Sequence, residues 1–146
     1  MCVPTGSTDH SYAIEPISNT SNHEVEVVSV RLLGARHVRL ADAFVLPEAA
    51  RGEMGVLDGW PGEGVSPQTR RALIPIPGAT LEPASTVSDD ADEPALALHL
   101  RTRSQGEASF DAVQVVYRTT DSGTTYRSEP SSISFRAAET CDGTPP

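Results

Sequence analysis

The chain has 146 residues, a mass of 15.5 kDa and a net charge of -9, enough for one domain with its own core. With 20 acidic residues against 11 basic ones there is no footprint for nucleic acid, and an anionic membrane surface would repel the protein. No apolar run approaches the roughly 18 to 20 residues of a membrane span, so no membrane insertion is expected. Leu, Ile, Val and Phe together fill about one fifth of the chain, which points to a compact domain with long polar loops.

Residues 1–10 carry little apolar content and read as a flexible N-terminal tail. Residues 11–17 alternate as a first strand, with Tyr12, Ile14 and Pro16 on one side, and 19–22 is a polar turn. Residues 23–33 form a stronger strand. Val25 and Val27 share one face while Val28, Val30 and Leu32 share the other. That switch of parity predicts a β-bulge near Val27 and Val28, or a strand buried on both faces there. A further strand is expected over 37–46, carrying Val38, Leu40, Phe44 and Leu46.

Residues 47–71 change character and read as a loop insertion. One helical turn fits near its start, no amphipathic helix follows, and Asp58 to Gly64 is Gly/Pro-rich. Loops this long in small domains are often functional. A short apolar run at 72–76, a short strand at 80–87 and an acidic loop at 88–94 come next. Leu96, Leu98 and Leu100 mark a strand with one buried face. Residues 110–120 form a central strand, 121–124 a hairpin turn, 125–129 its return, and Ile133 and Phe135 a last strand. Seven to nine short strands without a helix-period segment make an all-β antiparallel β-sandwich over 11–140, with a C-terminal tail at 141–146.

Cys2 and Cys141 lie in polar, turn-rich stretches near the two ends. An even count outside the core predicts one disulfide, and with it an oxidising compartment and a secreted or surface-attached protein. The rival reading makes Cys2 the lipid-modified first residue of a tethered lipoprotein, behind an added Met1.

The four histidines show no metal-ligand spacing, and no nucleophile elbow, phosphate loop or dinucleotide fingerprint occurs. An enzyme is therefore not expected, and neither catalytic residues nor a cofactor are assigned. Asp89, Asp90, Asp92 and Glu93 supply oxygens of the kind calcium prefers, but not at EF-hand spacing, so a solvated acidic turn is the simpler reading. Trp60 is the single tryptophan. Lying in a Gly/Pro loop, it is either a binding residue or a plug over one open end of the sandwich. The partner contact is expected at Trp60 and the 47–71 insertion, with Asp58, Arg70 and Arg71 as its polar rim and the N-terminal tail as a second contact.

Pro16 and Ile17, the Asn-containing turn at 19–22 and the valines from Val25 onward resemble the opening of immunoglobulin-like modules of the abnormal-spindle/Hydin type. Residues 78–83 are similar to the Pro/Gly turn before the next strand of those modules. Residues 106–110 and the valine strand after them resemble the final hairpin. The insertion departs from a minimal module. The resemblance implies the sandwich fold and a binding or scaffolding role, with no catalytic residues. All basic residues are Arg and none is Lys, a bias of GC-rich genomes that points to an actinobacterial source, and with the cysteines to a secreted actinobacterial protein. The expected function is an adaptor or scaffold subunit that binds another extracellular protein. The alternatives are a carbohydrate or small-ligand module, or an inhibitor of an extracellular hydrolase.

Overall fold

A computed structural model describes residues 1–4, 6–84, 93–103 and 107–141. Its strands are β1 (Cys2–Pro4), β2 (Asp9–Pro16), β3 (Val25–Leu33), β4 (Val38–Leu46), β5 (Val56–Asp58) and β6 (Ile74–Pro75), then β7 (Thr80–Leu81), β8 (Ala95–Thr102), β9 (Ala108–Phe110), β10 (Ala112–Thr119), β11 (Thr125–Arg127) and β12 (Phe135–Ala138). One short helix, α1, spans Pro67–Ala72. Twelve strands exceed the expected seven to nine because half of them are two or three residues long, too short to show a period.

The strands build three sheets, ordered β5-β2-β8-β4-β6, β11-β10-β3-β7 and β1-β12-β9. Neighbours are antiparallel except β1, which runs parallel to β12. β9 and β10 follow each other across Asp111, so the three-stranded sheet continues the four-stranded one. Between them and the five-stranded sheet lies the main core. Val25, Val27, Val113 and Val115 meet Leu96, Leu98 and Leu100 there. At one end Phe110 stacks on Phe135, and Tyr12 meets Phe110 edge-on at 5.4 Å. This is an all-β, immunoglobulin-like antiparallel sandwich.

Bulges set which side chains face inward. On β3, Ser29 pairs with Val116 and Val27 with Tyr117, leaving Val28 as the extra residue. The parity switch read from the valines is this bulge, and it keeps Val25, Val27 and Val30 all buried. β4 has a second bulge, at Ala41 between the pairs Leu40–Leu100 and Asp42–His99. It turns Asp42, Phe44 and Leu46 to the outer face of the sheet. β2 has a third, between Tyr12 opposite Leu98 and Glu15 opposite Leu96.

The insertion is not an open loop. It holds a 3-10 helix at Glu48–Glu53, strand β5 and helix α1. Pro67 starts α1, and Ser66 Oγ caps it by accepting from Thr69 N at 3.2 Å. Glu53 Oε2 ties the two helical pieces together, accepting from Ser66 N at 2.9 Å and Thr69 Oγ1 at 2.7 Å. The insertion lies over the outer face of the five-stranded sheet and buries a second core of Ala13, Leu46, Ala50, Met54, Val65 and Ala97. β8 is therefore buried on both faces, not one: Leu96, Leu98 and Leu100 face the main core, and Ala95, Ala97 and His99 are covered from outside.

The N-terminal residues also differ from a flexible tail. β1 pairs with β12 over Cys2–Pro4, Val3 joins the main core, and His10 is fully buried at the start of β2. The disulfide Cys2–Cys141 joins the two ends across a Cα–Cα distance of 5.7 Å. This pairing recruits a stretch whose composition alone gives it little to bury. Residues 142–146 of the expected C-terminal tail lie outside the described residues.

Candidate functional site

The residues singled out in the insertion take separate places. Trp60 is half-buried and stacks on Phe44 (centroids 5.4 Å apart) and on His99 (4.9 Å). The bulge at Ala41 makes this stack, because it puts Phe44 on the outer face beside His99. Trp60 thus covers a sheet face, where the sequence offered an open end of the sandwich. Asp58 lies on edge strand β5, opposite His10. Arg70 and Arg71 are exposed on the last turn of α1, and Arg70 Nε donates to Val65 O at 3.2 Å. Asp89, Asp90 and Asp92 lie outside the described residues. Glu93 contributes its backbone carbonyl, which accepts from Arg51 Nη1 at 2.9 Å. Among the described residues no group of three His, Cys, Asp or Glu could hold a metal ion.

Beneath Trp60 lies a polar cluster whose members are too far apart in the chain to show as a motif. His99 Nε2 is 2.6 Å from Asp9 Oδ1, and Nδ1 is 3.1 Å from Asp42 Oδ2. Arg101 Nε donates to the same Asp9 oxygen at 2.9 Å. These contacts, Arg101 first and then His99, hold the Asp9 carboxyl down at about 2. Ser11 faces His99 in register, but carboxylates already flank both ring nitrogens. His10 points to the inner side, against Phe135. Its Nδ1 lies 3.3 Å from Asp58 Oδ1, though not in hydrogen-bonding geometry. Burial lowers the pKa of His10, and the charges of Asp58 and Asp9 oppose that shift.

The cavity lies elsewhere. A cleft of about 610 Å³ opens between the two sheets, bounded by residues 15–21 on one side and 127–131 on the other. Behind it stand the buried Val25, Val27, Leu81, Leu96, Val113 and Val115, and Pro16 is exposed at its edge. Tyr117 also lines it and stacks on Tyr126 (5.5 Å) across the β10–β11 pair. Tyr126 is among the few large apolar side chains left exposed, at 45%. The segment after β11 keeps this side of the cleft irregular. Ser128 and Ser131 donate their backbone N–H to Val115 O and Val113 O at 2.8 Å, and their hydroxyls accept from Val115 N and Val113 N at 3.0 and 2.9 Å.

The charged side chains lining the cleft are Glu15, Arg127 and Glu129. Glu15 sits there because of the β2 bulge. The alternation of 11–17 gives it the side opposite Tyr12, but the extra residue sets it against Leu96, whose side chain points inward. The Tyr12 hydroxyl then reaches Glu15 Oε2 at 3.4 Å. Burial raises the pKa of the Glu15 carboxyl, and the Tyr12 hydrogen bond only partly offsets this.

Comparison with models of known families, with curated proteins and with solved structures finds no match to this chain. Sequence reasoning missed the cleft because its walls come from six strands. Only the pairing of Tyr117 with Tyr126 across a predicted hairpin carried a signal.

Proposed function

We propose that the chain is an extracellular protein-binding module, an adaptor or scaffold subunit of an assembly outside the cell, and that it takes its partner at the cleft between the sheets. The observation that carries this reading is the cleft itself, lined by Pro16, Tyr117 and Arg127 in front of buried valines, with Tyr126 stacked on Tyr117. Tyr and Arg are the residue types that dominate binding energy at protein interfaces, around a desolvated centre. The disulfide supports an oxidising compartment. No helix among the described residues is long and apolar enough to cross a membrane. Trp60 serves the second core in this reading, and the insertion stiffens the five-stranded sheet behind the cleft.

Site-specific photocrosslinking in the native host tests the proposal. A benzophenone amino acid at position 127 should give one discrete protein adduct, and the same probe at position 60 none. An adduct from position 60 alone would move the contact to the insertion. No adduct from either position would remove the protein-binding role. A second reading rests on the cleft volume, which lies in the range of small-molecule sites, about 300 to 1,000 Å³. A small ligand would appear in the native mass spectrum of protein purified from its host and disappear on denaturation.

A further inference from the structure

From the position of Glu15 we infer that the occupant of the cleft is a polypeptide segment of the partner carrying a basic side chain next to apolar ones, with the cation seated against Glu15. This rests on the proposed cleft and deepens it.

Glu15 is a carboxylate turned into an apolar space. The β2 bulge puts it on the inner side, in line with Leu96 and next to the valine floor. Its only hydrogen bond among the described residues is the long one from Tyr12. None of the ion pairs among the described residues includes it. A half-buried carboxylate without a counter-charge is penalised by desolvation, and a cation that enters beside it relieves the penalty. The rise in its pKa has the same origin. The charges around it favour the same sign of ligand: of the three charged residues lining the cleft, two are acids, and the chain as a whole carries -9.

The rest of the cleft specifies what accompanies the cation. Pro16 and Tyr117 present apolar surface to the cleft in front of the buried valines, so the occupant needs apolar side chains next to its charge. Tyr117, backed by its stack with Tyr126, offers the cleft an aromatic ring over which an Arg or Lys stem packs well. An extended segment alternating apolar and basic residues satisfies both demands. An acidic segment meets Glu15 and Glu129 with like charge.

Three acetylated hexapeptides test this: alternating leucine–lysine, leucine–glutamine and leucine–glutamate. Each is titrated into the full chain while the methyl signals of Val113, Val115 and Leu96 are followed by NMR. The lysine peptide should bind about fivefold more tightly than the glutamine peptide, and the glutamate peptide more weakly still, with the spread narrowing at high salt. Glu15→Gln should erase most of the lysine advantage and leave the glutamine peptide unchanged. Equal binding of all three peptides at those methyls would overturn the inference and leave the cleft as a binding site. A lysine preference that persists in Glu15→Gln would assign it to the overall charge of the chain and overturn the role of Glu15. No shift of the methyls with any peptide would overturn the cleft reading and the inference together.

Discussion

Asp9 and Glu15 lie on one strand, and their pKa values are shifted in opposite directions. Arg101 and His99 hold the Asp9 carboxyl at about 2, below its ordinary 3.8. Its stabilising contribution is complete above the ordinary value and drains away as pH falls from there towards 2. Burial raises the Glu15 pKa above its ordinary 4.5. Its contribution is therefore complete below that value and is lost as pH rises through the raised one. Urea unfolding at a series of pH values checks both signs. Asp9→Asn should flatten the loss of stability between pH 4 and pH 2. Glu15→Gln should stabilise the protein at pH 7 and leave it unchanged at pH 3; a gain of equal size at both pH values would contradict the burial of Glu15. Neither environment was legible in the sequence. Asp9 fell within the supposed tail, and simple alternation placed Glu15 on the wrong side of β2, because a bulge of one residue leaves no mark in a short polar-apolar pattern.

At the scale of elements, legibility followed length. The valines of β3 are numerous enough for their change of parity to reveal the bulge at Val28. β4 carries a similar bulge at Ala41, but small and polar residues around it hide the change. The leucine face of β8 was plain, whereas its second buried face, formed by Ala95, Ala97 and His99, reads as solvent-facing by composition. What covers that face is the insertion, whose six-residue helix is too short for a hydrophobic period and rests on a Ser66–Pro67 start and the Glu53 bridge. Trp60 is the bulkiest side chain between the two layers. Trp60→Ala should cost about 2 to 4 kcal/mol of stability, somewhat below a fully buried aromatic, and leave binding at the cleft unchanged. Denaturation and peptide titration on the same variant check the two halves. Lost binding at unchanged stability would make Trp60 a contact residue.

For the molecule as a whole, the disulfide closes nearly the full chain, with a sequence separation of 139. In the chain-entropy model a loop of that length contributes about 4 to 5 kcal/mol, an upper-end figure. Reduction should lower the urea midpoint accordingly, and intact mass should rise by about 2 Da, one hydrogen on each sulfur. An unchanged mass would mean that the bond is absent. The even cysteine count, the two-residue alternation and the turn chemistry made both the sandwich and this bond readable in advance. The cleft was not, because it depends on how two sheets diverge and on segments, 15–21 and 127–131, that are far apart in the chain.

The central claim is that the partner sits in the inter-sheet cleft. Hydrogen exchange of the chain alone and bound to the partner identified by crosslinking tests it most directly. With the partner in the cleft, exchange slows at 15–21, 113–117 and 125–131 and is unchanged at 47–73. Slowed exchange across 47–73 with the cleft segments unaffected would contradict it.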